Sequence, residues 1–368
     1  MALKKKVIFT VTNDLTYDQR MQKICRSLSA AGYEVELVGR QRKFSAPLTN
    51  ESFKQTRLTC IFDKGKLFYL EYNLRLLFYL LKQNFDAVCA IDLDTLVPAY
   101  FATKIGAKHK KLFYDAHEYF TEVPEVSRRK TVKAVWEWVE KTFVPKVDMA
   151  YTVSPAIANL FTQKYGKRFG VIMNVPVLKP GVEKAKSAEA TILYQGALNE
   201  GRGLEYLIEA MANIDARLIL AGEGDLSNEL RTLATRLNLG SKIEFLGFVK
   251  PAELIALTAK ATVGVNLLEN KGLSYYYSLS NKFFDYIHAR LPQVCINFPE
   301  YKAINDEFGV ALLVNDCNSE EIKKAIDRLI NDAELYSLLQ KKCEVCSLQL
   351  NWQQEEKKLL AFYNEQLR

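Results

Sequence analysis

Gly272-Leu-Ser-Tyr-Tyr-Tyr-Ser-Leu-Ser-Asn-Lys-Phe-Phe-Asp-Tyr-Ile287 is the stretch on which the fold turns. The apolar run before it, 262–268, reads as a buried strand, and Phe283, Phe284, Tyr286 and Ile287 give its C-terminal part a helical apolar face. The segment is therefore a strand, a polar loop and a helix whose first turn is Ser280-Asn281-Lys282. A helix N-terminus presents free N–H groups and partial positive charge, a ready site for a diphosphate. One turn further in, Asp285 is an acceptor for both hydroxyls of a ribose. Diphosphate plus ribose is the outline of a sugar nucleotide. An ordinary strand–loop–helix unit with a polar loop has the same pattern.

Working outward, strands and helices alternate along the whole chain. Residues 7–11, 34–38, 87–91, 111–114 and 149–153 read as buried strands, and 18–31 and 74–83 have helical apolar spacing. Residues 175–190, with two prolines, a glycine and three lysines, read as a linker. A second series comes after it: strands at 191–194, 217–221, 243–246, 263–267 and 293–296, with helices at 203–212, 226–237, 251–259, from 281, near 319–332 and at 334–348. Strands separated by helix-length segments imply right-handed crossovers and parallel sheets. The fold class expected is α/β, with two Rossmann-like doubly wound domains, 1–175 and 176–350, facing a cleft. In such sheets ligands sit at the C-terminal ends of the strands.

The 368 residues suffice for two full cores, and 49% apolar with 25% charged is an ordinary globular balance. The apolar part of the N-terminal stretch is too short for a signal peptide, and no run approaches the length of a membrane span. Seven cysteines with scattered spacing suit a reduced, cytoplasmic protein; Cys343-x-x-Cys346 is the one close pair, and without a second pair it makes a poor zinc site. Charge is split unevenly: residues 1–186 hold 31 Lys and Arg against 18 Asp and Glu, while 187–368 hold 19 against 25. A basic first half suggests an acidic partner such as an anionic lipid surface, or simply a solvated basic face.

Several loops at strand ends carry chemistry. After the first strand comes Thr12-Asn13-Asp14, then Asp18-Gln19-Arg20, with no Gly-x-Gly fingerprint. Polar side chains there suit contacts to an acceptor, although Asp18 is equally suited to capping the helix. Asp92-Leu-Asp94 stands after another strand, where two acids either hold a divalent cation or cap a helix. His117, in Asp115-Ala-His117-Glu118, stands where a histidine donates to a sugar hydroxyl or orients a reacting group. In the second half, Gly196 opens a glycine-containing loop that ends in Arg202, placed for phosphate. Gly222 and Gly224 mark a second loop, and Gly247-Phe248 a third whose backbone suits a base edge. Ser278, Ser280, Asn281, Lys282 and Asp285 complete a set converging at strand C-termini of one domain. Basic and aromatic segments at 128–138 and 66–81, the latter with Leu67, Leu70, Leu74, Leu77, Phe78 and Leu81 on one helical face, suit either an anionic membrane surface or a core.

Over nearly its whole length the chain resembles the retaining GT-B glycosyltransferases of family 4 (group 1), in a bacterial branch suggested by the Thr12, Asp92 and Asp115 motifs. The resemblance implies metal-independent transfer from a nucleotide sugar, with no cofactor, the C-terminal domain binding the donor and the N-terminal domain the acceptor. It also implies a terminal helix, 351–368, packing back on the first domain. By position, Arg202 replaces the family's phosphate-binding lysine, Asp285 the second acid of Glu-x7-Glu, and His117 the histidine near the donor sugar. Asn13, Asp14, Asp18, Arg20 and Asp94 then fall on the acceptor side. Two departures stand out: Ala197 where an arginine is usual, and Tyr277 where the first acid is expected. The expected partners are a nucleotide sugar and a saccharide or lipid-linked acceptor, with peripheral membrane contact and no nucleic acid. The rival readings are a non-catalytic sugar-nucleotide-binding homologue, which the two departures favour, and a sugar-nucleotide epimerase. A nucleic-acid-binding protein is disfavoured by the acidic second half, and a metal-dependent transferase using Asp92 and Asp94 by the phosphate-type loops lying elsewhere.

Overall fold

The computed structural model describes residues 4–105, 110–179 and 189–367. The chain forms two compact units, one of Met1–Asn174 with Glu355–Arg368, the other of Val175–Gln354. Most of the linker expected at 175–190 lies outside the described residues.

The first unit is built on a seven-stranded parallel sheet of β1 (Lys6–Thr10), β2 (Glu34–Gln41), β3 (Lys54–Thr59), β4 (Ala87–Ile91), β5 (Lys111–Ala116), β6 (Met149–Thr152) and β7 (Phe169–Val171), in the order β3-β2-β1-β4-β5-β6-β7. The order reverses between β1 and β4, so the loops after those two strands part and leave a crevice at their C-terminal ends. The central strands are buried and largely apolar, as helix-covered parallel sheets require. The last helix, Trp352–Leu367, contributes its later turns to this unit. Its Tyr363 is buried against Phe9, Phe113 and Tyr151, and the Tyr151 and Tyr363 hydroxyls lie 3.2 Å apart.

The second unit has a six-stranded parallel sheet of β8 (Thr191–Gln195), β9 (Arg217–Ala221), β10 (Ile243–Gly247), β11 (Val263–Asn266), β12 (Gln293–Ile296) and β13 (Ala311–Val314), in the order β10-β9-β8-β11-β12-β13. Its reversal falls between β8 and β11. Both are therefore Rossmann-like α/β units.

Three strands have no counterpart in the sequence reading: β3, β7 and β13. Each lies at an edge of its sheet, and of the four edge strands only β10 is expected from the sequence. An edge strand is covered less, so it needs no apolar run, and Lys-Gln-Thr-Arg-Leu-Thr in β3 has none. The helices Pro155–Tyr165 and Pro299–Phe308 also have no counterpart there. Cys343 and Cys346 are buried in the helix Ala333–Gln349, and all seven cysteines are free.

Candidate donor and acceptor sites

In the second unit, the helix Asn281–His288 is pinned by Phe283, Phe284, Tyr286 and Ile287, all buried. Tyr286 packs on Gly264 of β11, where an added Cβ would lie 2.6 Å from the ring, and donates its hydroxyl to the Leu193 carbonyl of β8 at 3.0 Å. These contacts hold the helix N-terminus at the β8/β11 reversal. Ser280 is the N-cap residue but makes no side-chain cap bond. Its hydroxyl instead donates to Asn266 at 3.0 Å, and its N–H to Tyr301 at 3.1 Å. Ser278 donates to the Tyr275 carbonyl at 2.8 Å. Both serines thus shape the loop with their hydroxyls, and the Phe283 N–H closes the first turn on the Ser280 carbonyl at 3.2 Å.

Two cations meet there. The Lys282 ammonium stands 3.7 Å from the Tyr194 ring centroid, and the Arg202 guanidinium 4.7 Å from that of Tyr275. Lys282 is only 6% exposed. Its Nζ and the Arg202 Nε are buried without a hydrogen-bond partner, and neither side chain has a carboxylate within ion-pair reach among the described residues. Burial, with the Arg202 charge adding to it, pushes the Lys282 ammonium well below the usual lysine range. A methyl built on Gly196 would lie 4.0 Å from the Lys282 Nζ, so the ammonium faces the loop that carries Ala197. Buried unpaired cations are costly unless an anion completes them. The sequence reading takes Lys282 only for its backbone; a lysine among Phe283, Phe284 and Tyr286 on a buried helix is the signal that points to its side chain.

Asp285 is half-buried and accepts from the Gln195 amide at 2.7 Å, while Thr258 donates to the other end of Gln195 at 2.9 Å. Gln195, at the last position of β8, is a positioning residue that the sequence reading does not single out. Gly222 and Gly224 act by close approach: a Cβ on Gly222 would lie 1.9 Å from the Gly196 carbonyl, and one on Gly224 2.3 Å from Asn199. They press the loop after β9 onto the loop after β8. Phe248, beyond β10, is 63% exposed.

In the first unit, Asp94, Thr12, Asp92 and His117 gather at the ends of β1, β4 and β5. Thr12 donates to the Asp94 carboxylate at 2.6 Å, and the His117 N–H to Asp92 at 2.9 Å. Asp92 holds φ at +55°, a strained value for a residue with a Cβ. Burial, opposed by the Thr12 bond, pushes the Asp94 carboxyl up to about 6. Burial would lower His117, but the Asp115 charge and a 3.2 Å hydrogen bond outweigh it and raise the imidazole to about 9. Asp115, near the end of β5 with His117 just beyond the strand, is the residue missed here.

Arg20 is corrected. It was expected among acceptor contacts, yet it is 4% exposed, with Nε and Nη2 donating to Asp115 at 3.2 and 2.9 Å and Nη1 to the Ile172 carbonyl at 2.8 Å. Its donors are spent inside the fold, holding the carboxylate that holds His117. Asp18 caps the helix Gln19–Ala30 through the Met21 N–H at 3.0 Å and accepts from Asn13 at 2.7 Å. Asp14 accepts from Ser45 at 3.0 Å and from the Thr16 N–H at 3.2 Å. Asn13, Asp14 and Asp18 thus build their loop. Among the described residues no group of three or more His, Cys, Asp or Glu is placed to hold a metal ion.

Two parallel Rossmann-like units of this topology define the GT-B fold. Residues 19–176 match the model of glycosyltransferase family 4, and residues 179–344 that of the glycosyl transferases group 1. The chain belongs to this glycosyltransferase family. It is similar to an uncharacterized glycosyltransferase of Haemophilus influenzae, 25% identical over 217 residues, which are 55% of this chain and 58% of that one. The curated relatives it matches are covered over 21% and 58% of their own lengths. The sucrose-phosphate synthase of Thermosynechococcus elongatus has the same fold, with a TM-score of 0.80 at 16% identity, over 98% of this chain and 99% of that one. So does Anabaena HepE, solved in complex with UDP-glucose, with a TM-score of 0.77 at 16% identity over 98% and 99%.

Proposed function

We propose that the protein transfers a hexosyl group from a UDP- or GDP-sugar to a hydroxyl acceptor with retention of anomeric configuration. The second unit binds the donor and the first the acceptor. The observation that carries this reading is the unpaired Lys282 and Arg202 pair beside a helix N-terminus at the β8/β11 reversal. A diphosphate is the anion whose size and charge suit two cations and a ring of N–H groups. Lys282 supplies the charge that Ala197 lacks. Asp285, oriented by Gln195, takes the ribose.

In the reaction, the sugar C1–oxygen bond breaks and the leaving diphosphate gathers negative charge against Arg202, Lys282 and the N–H groups of the helix start. The acceptor hydroxyl attacks from the same face, and a diphosphate oxygen takes its proton, so no protein nucleophile is needed. Electrostatic stabilisation of the leaving group is then the main term, and one such donor is worth on the order of 100-fold or more in rate. His117, held protonated by Asp115, donates to a donor-sugar hydroxyl. No metal is assigned a part. A saccharide or lipid-linked acceptor of surface polysaccharide or glycolipid assembly, met in the cytoplasm at a membrane surface, suits the basic first half. The Tyr277 departure supports a second reading, a homologue that binds the donor without turning it over.

Calorimetric titration with UDP, GDP, CMP and ATP, without and with magnesium, tests the site. Saturable metal-independent binding of UDP or GDP, weakened in Asp285→Asn, is expected. No binding of any nucleotide overturns the donor site, and binding without release of UDP or GDP from any sugar nucleotide, acceptors included, favours the second reading.

A further inference from the structure

Arg40 stands one residue before the end of β2, on the strand-end face of the first unit that also carries Asp94 and His117. Gly39 before it is pressed onto the loop after β1. An added Cβ there would lie 2.5 Å from the Asn13 carbonyl, and the Arg40 N–H donates to that same carbonyl at 2.9 Å. The side chain runs over Phe68 of the helix Gly65–Leu81, with its guanidinium carbon 4.1 Å from the ring centroid. Phe68 is buried and stacked on Tyr72, whose hydroxyl donates to the Val11 carbonyl. A fixed backbone and an aromatic shelf thus hold the guanidinium in place.

Its donors are not filled in return. Nη1 donates to the Asp63 carbonyl at 3.0 Å, Nε is buried without a hydrogen-bond partner, and no carboxylate among the described residues comes within ion-pair reach. Burial first, and the neighbouring Arg42 charge second, press the guanidinium below the usual arginine range. Arg57, opposite Gly39 in β3, shows the contrast. Its Nε, Nη1 and Nη2 donate to the Asp14 carbonyl, the Ala46 carbonyl and the Thr16 hydroxyl at 2.7, 2.6 and 2.9 Å, so it braces the loops. The Phe68 contact engages the face of the Arg40 guanidinium and leaves its N–H edge unmatched. The same helix ties Arg40 to Asp94: Phe68 carries the arginine, and Asn73 donates to the Asp94 carbonyl at 3.0 Å. Arg40 is also among the charges that act on the Asp94 carboxyl.

We infer that Arg40 sets acceptor specificity by taking an oxyanion, phosphate or carboxylate, that the acceptor carries near its attacking hydroxyl. The edge of a guanidinium matches two oxygens of either group, and an anion completes a cation that the fold leaves desolvated. Asp94 repels that anion and so faces the hydroxyl end of the same molecule. Arg42, exposed beside it, adds to the attraction, as does the excess in residues 1–186 of 31 Lys and Arg over 18 Asp and Glu. The inference rests on the reading that the first unit holds the acceptor. It goes beyond that reading by requiring a charged acceptor, since a neutral saccharide leaves the Arg40 edge empty.

The test is NMR of the arginine Nε–H groups in the full chain, with the Arg40 signal assigned by its loss in Arg40→Lys, which keeps the charge and an unbranched stem. The probes are methyl phosphate, acetate and, as the neutral control, methyl glucoside. Arg328, exposed in the second unit, measures what any surface arginine does with an anion. The Arg40 signal is expected to shift saturably with methyl phosphate or acetate, at least about tenfold more tightly than the Arg328 signal, and not with methyl glucoside. Whichever anion binds more tightly says whether the acceptor brings phosphate or carboxylate. An Arg40 signal that neither anion moves overturns the proposal, and so does one that follows the anions no more tightly than Arg328. UDP and GDP are read in the same spectra at Arg202. Nucleotides that leave Arg202 unmoved overturn the donor reading alone, because Arg40 reports on its own anion.

Discussion

At the residue scale, Lys282 separates function from stability. Its buried ammonium has no hydrogen-bond partner and rests on the face of the Tyr194 ring, which offsets only part of its desolvation. Lys282→Met keeps an unbranched side chain beside Tyr194 and removes the charge that lies over its ring. The expected result is a melting temperature equal to or above the parent's, together with a loss of about 100-fold in kcat/KM and of the thermal shift produced by UDP or GDP. Loss of stability with activity retained would mark the residue as structural. His117 yields a second residue-scale expectation. Its folded value of about 9 lies above the unpaired 6.5, so the folded state holds an extra proton between those limits. The stabilisation is complete below about 6.5 and is lost as pH rises through about 9. Lys282 titrates in the opposite sense, since a depressed lysine favours folding as pH rises. The difference in unfolding free energy between parent and His117→Asn isolates the histidine: the gap should close across pH 6.5 to 9, and a constant gap would remove the protonated imidazole.

At the scale of elements, the Arg20–Asp115 pair ties the helix Gln19–Ala30 to β5 and to the Ile172 carbonyl. Arg20→Met leaves Asp115 buried with one partner fewer and is expected to cost about 3–5 kcal/mol in urea unfolding, with His117 shifted toward ordinary titration. A cost under about 1 kcal/mol would show that His117 alone compensates the carboxylate. Elements also show what a sequence can and cannot reveal. The central strands were legible because burial on both faces writes an apolar run, as in Val-Cys-Ala within β4. Of the four edge strands β10 was legible and β3, β7 and β13 were not; in β3 the half-exposed backbone tolerates Lys-Gln-Thr-Arg, which writes no apolar run. Helix Leu96–Lys104 is buried along much of its length and has little period to read. Among site residues, those at strand ends stood out because topology puts ligand loops there. The partners that hold them, Gln195 for Asp285 and Asp115 for His117, act through contacts 90 residues away or just beyond a strand end and carry no signature of their own.

At the scale of the whole molecule, the last helix makes the first unit depend on the far end of the chain. Tyr363 is completely buried, Phe362 lies against Gly170 where a Cβ would approach its ring to 2.6 Å, and Tyr33 donates to Asn364 at 2.7 Å. Glu355 accepts the Met173 N–H at 2.9 Å. Removing residues 355–368 therefore strips a layer from one side of the first sheet and bares Phe9, Phe113 and Tyr151. Burying a large aromatic side chain contributes about 3 kcal/mol, and the ΔG of a domain is about 5–15 kcal/mol. A chain ending at Gln354 is expected to lose much of the first unit's stability while the second unit, complete at Val175–Gln354, keeps its own. Hydrogen exchange read by mass spectrometry resolves the two. Protection should fall across β1, β5 and β6 and persist across β8, β11 and the helix Asn281–His288, and UDP or GDP should still bind the truncated chain. Equal loss of protection in both units would show that they unfold as one cooperative body rather than as two.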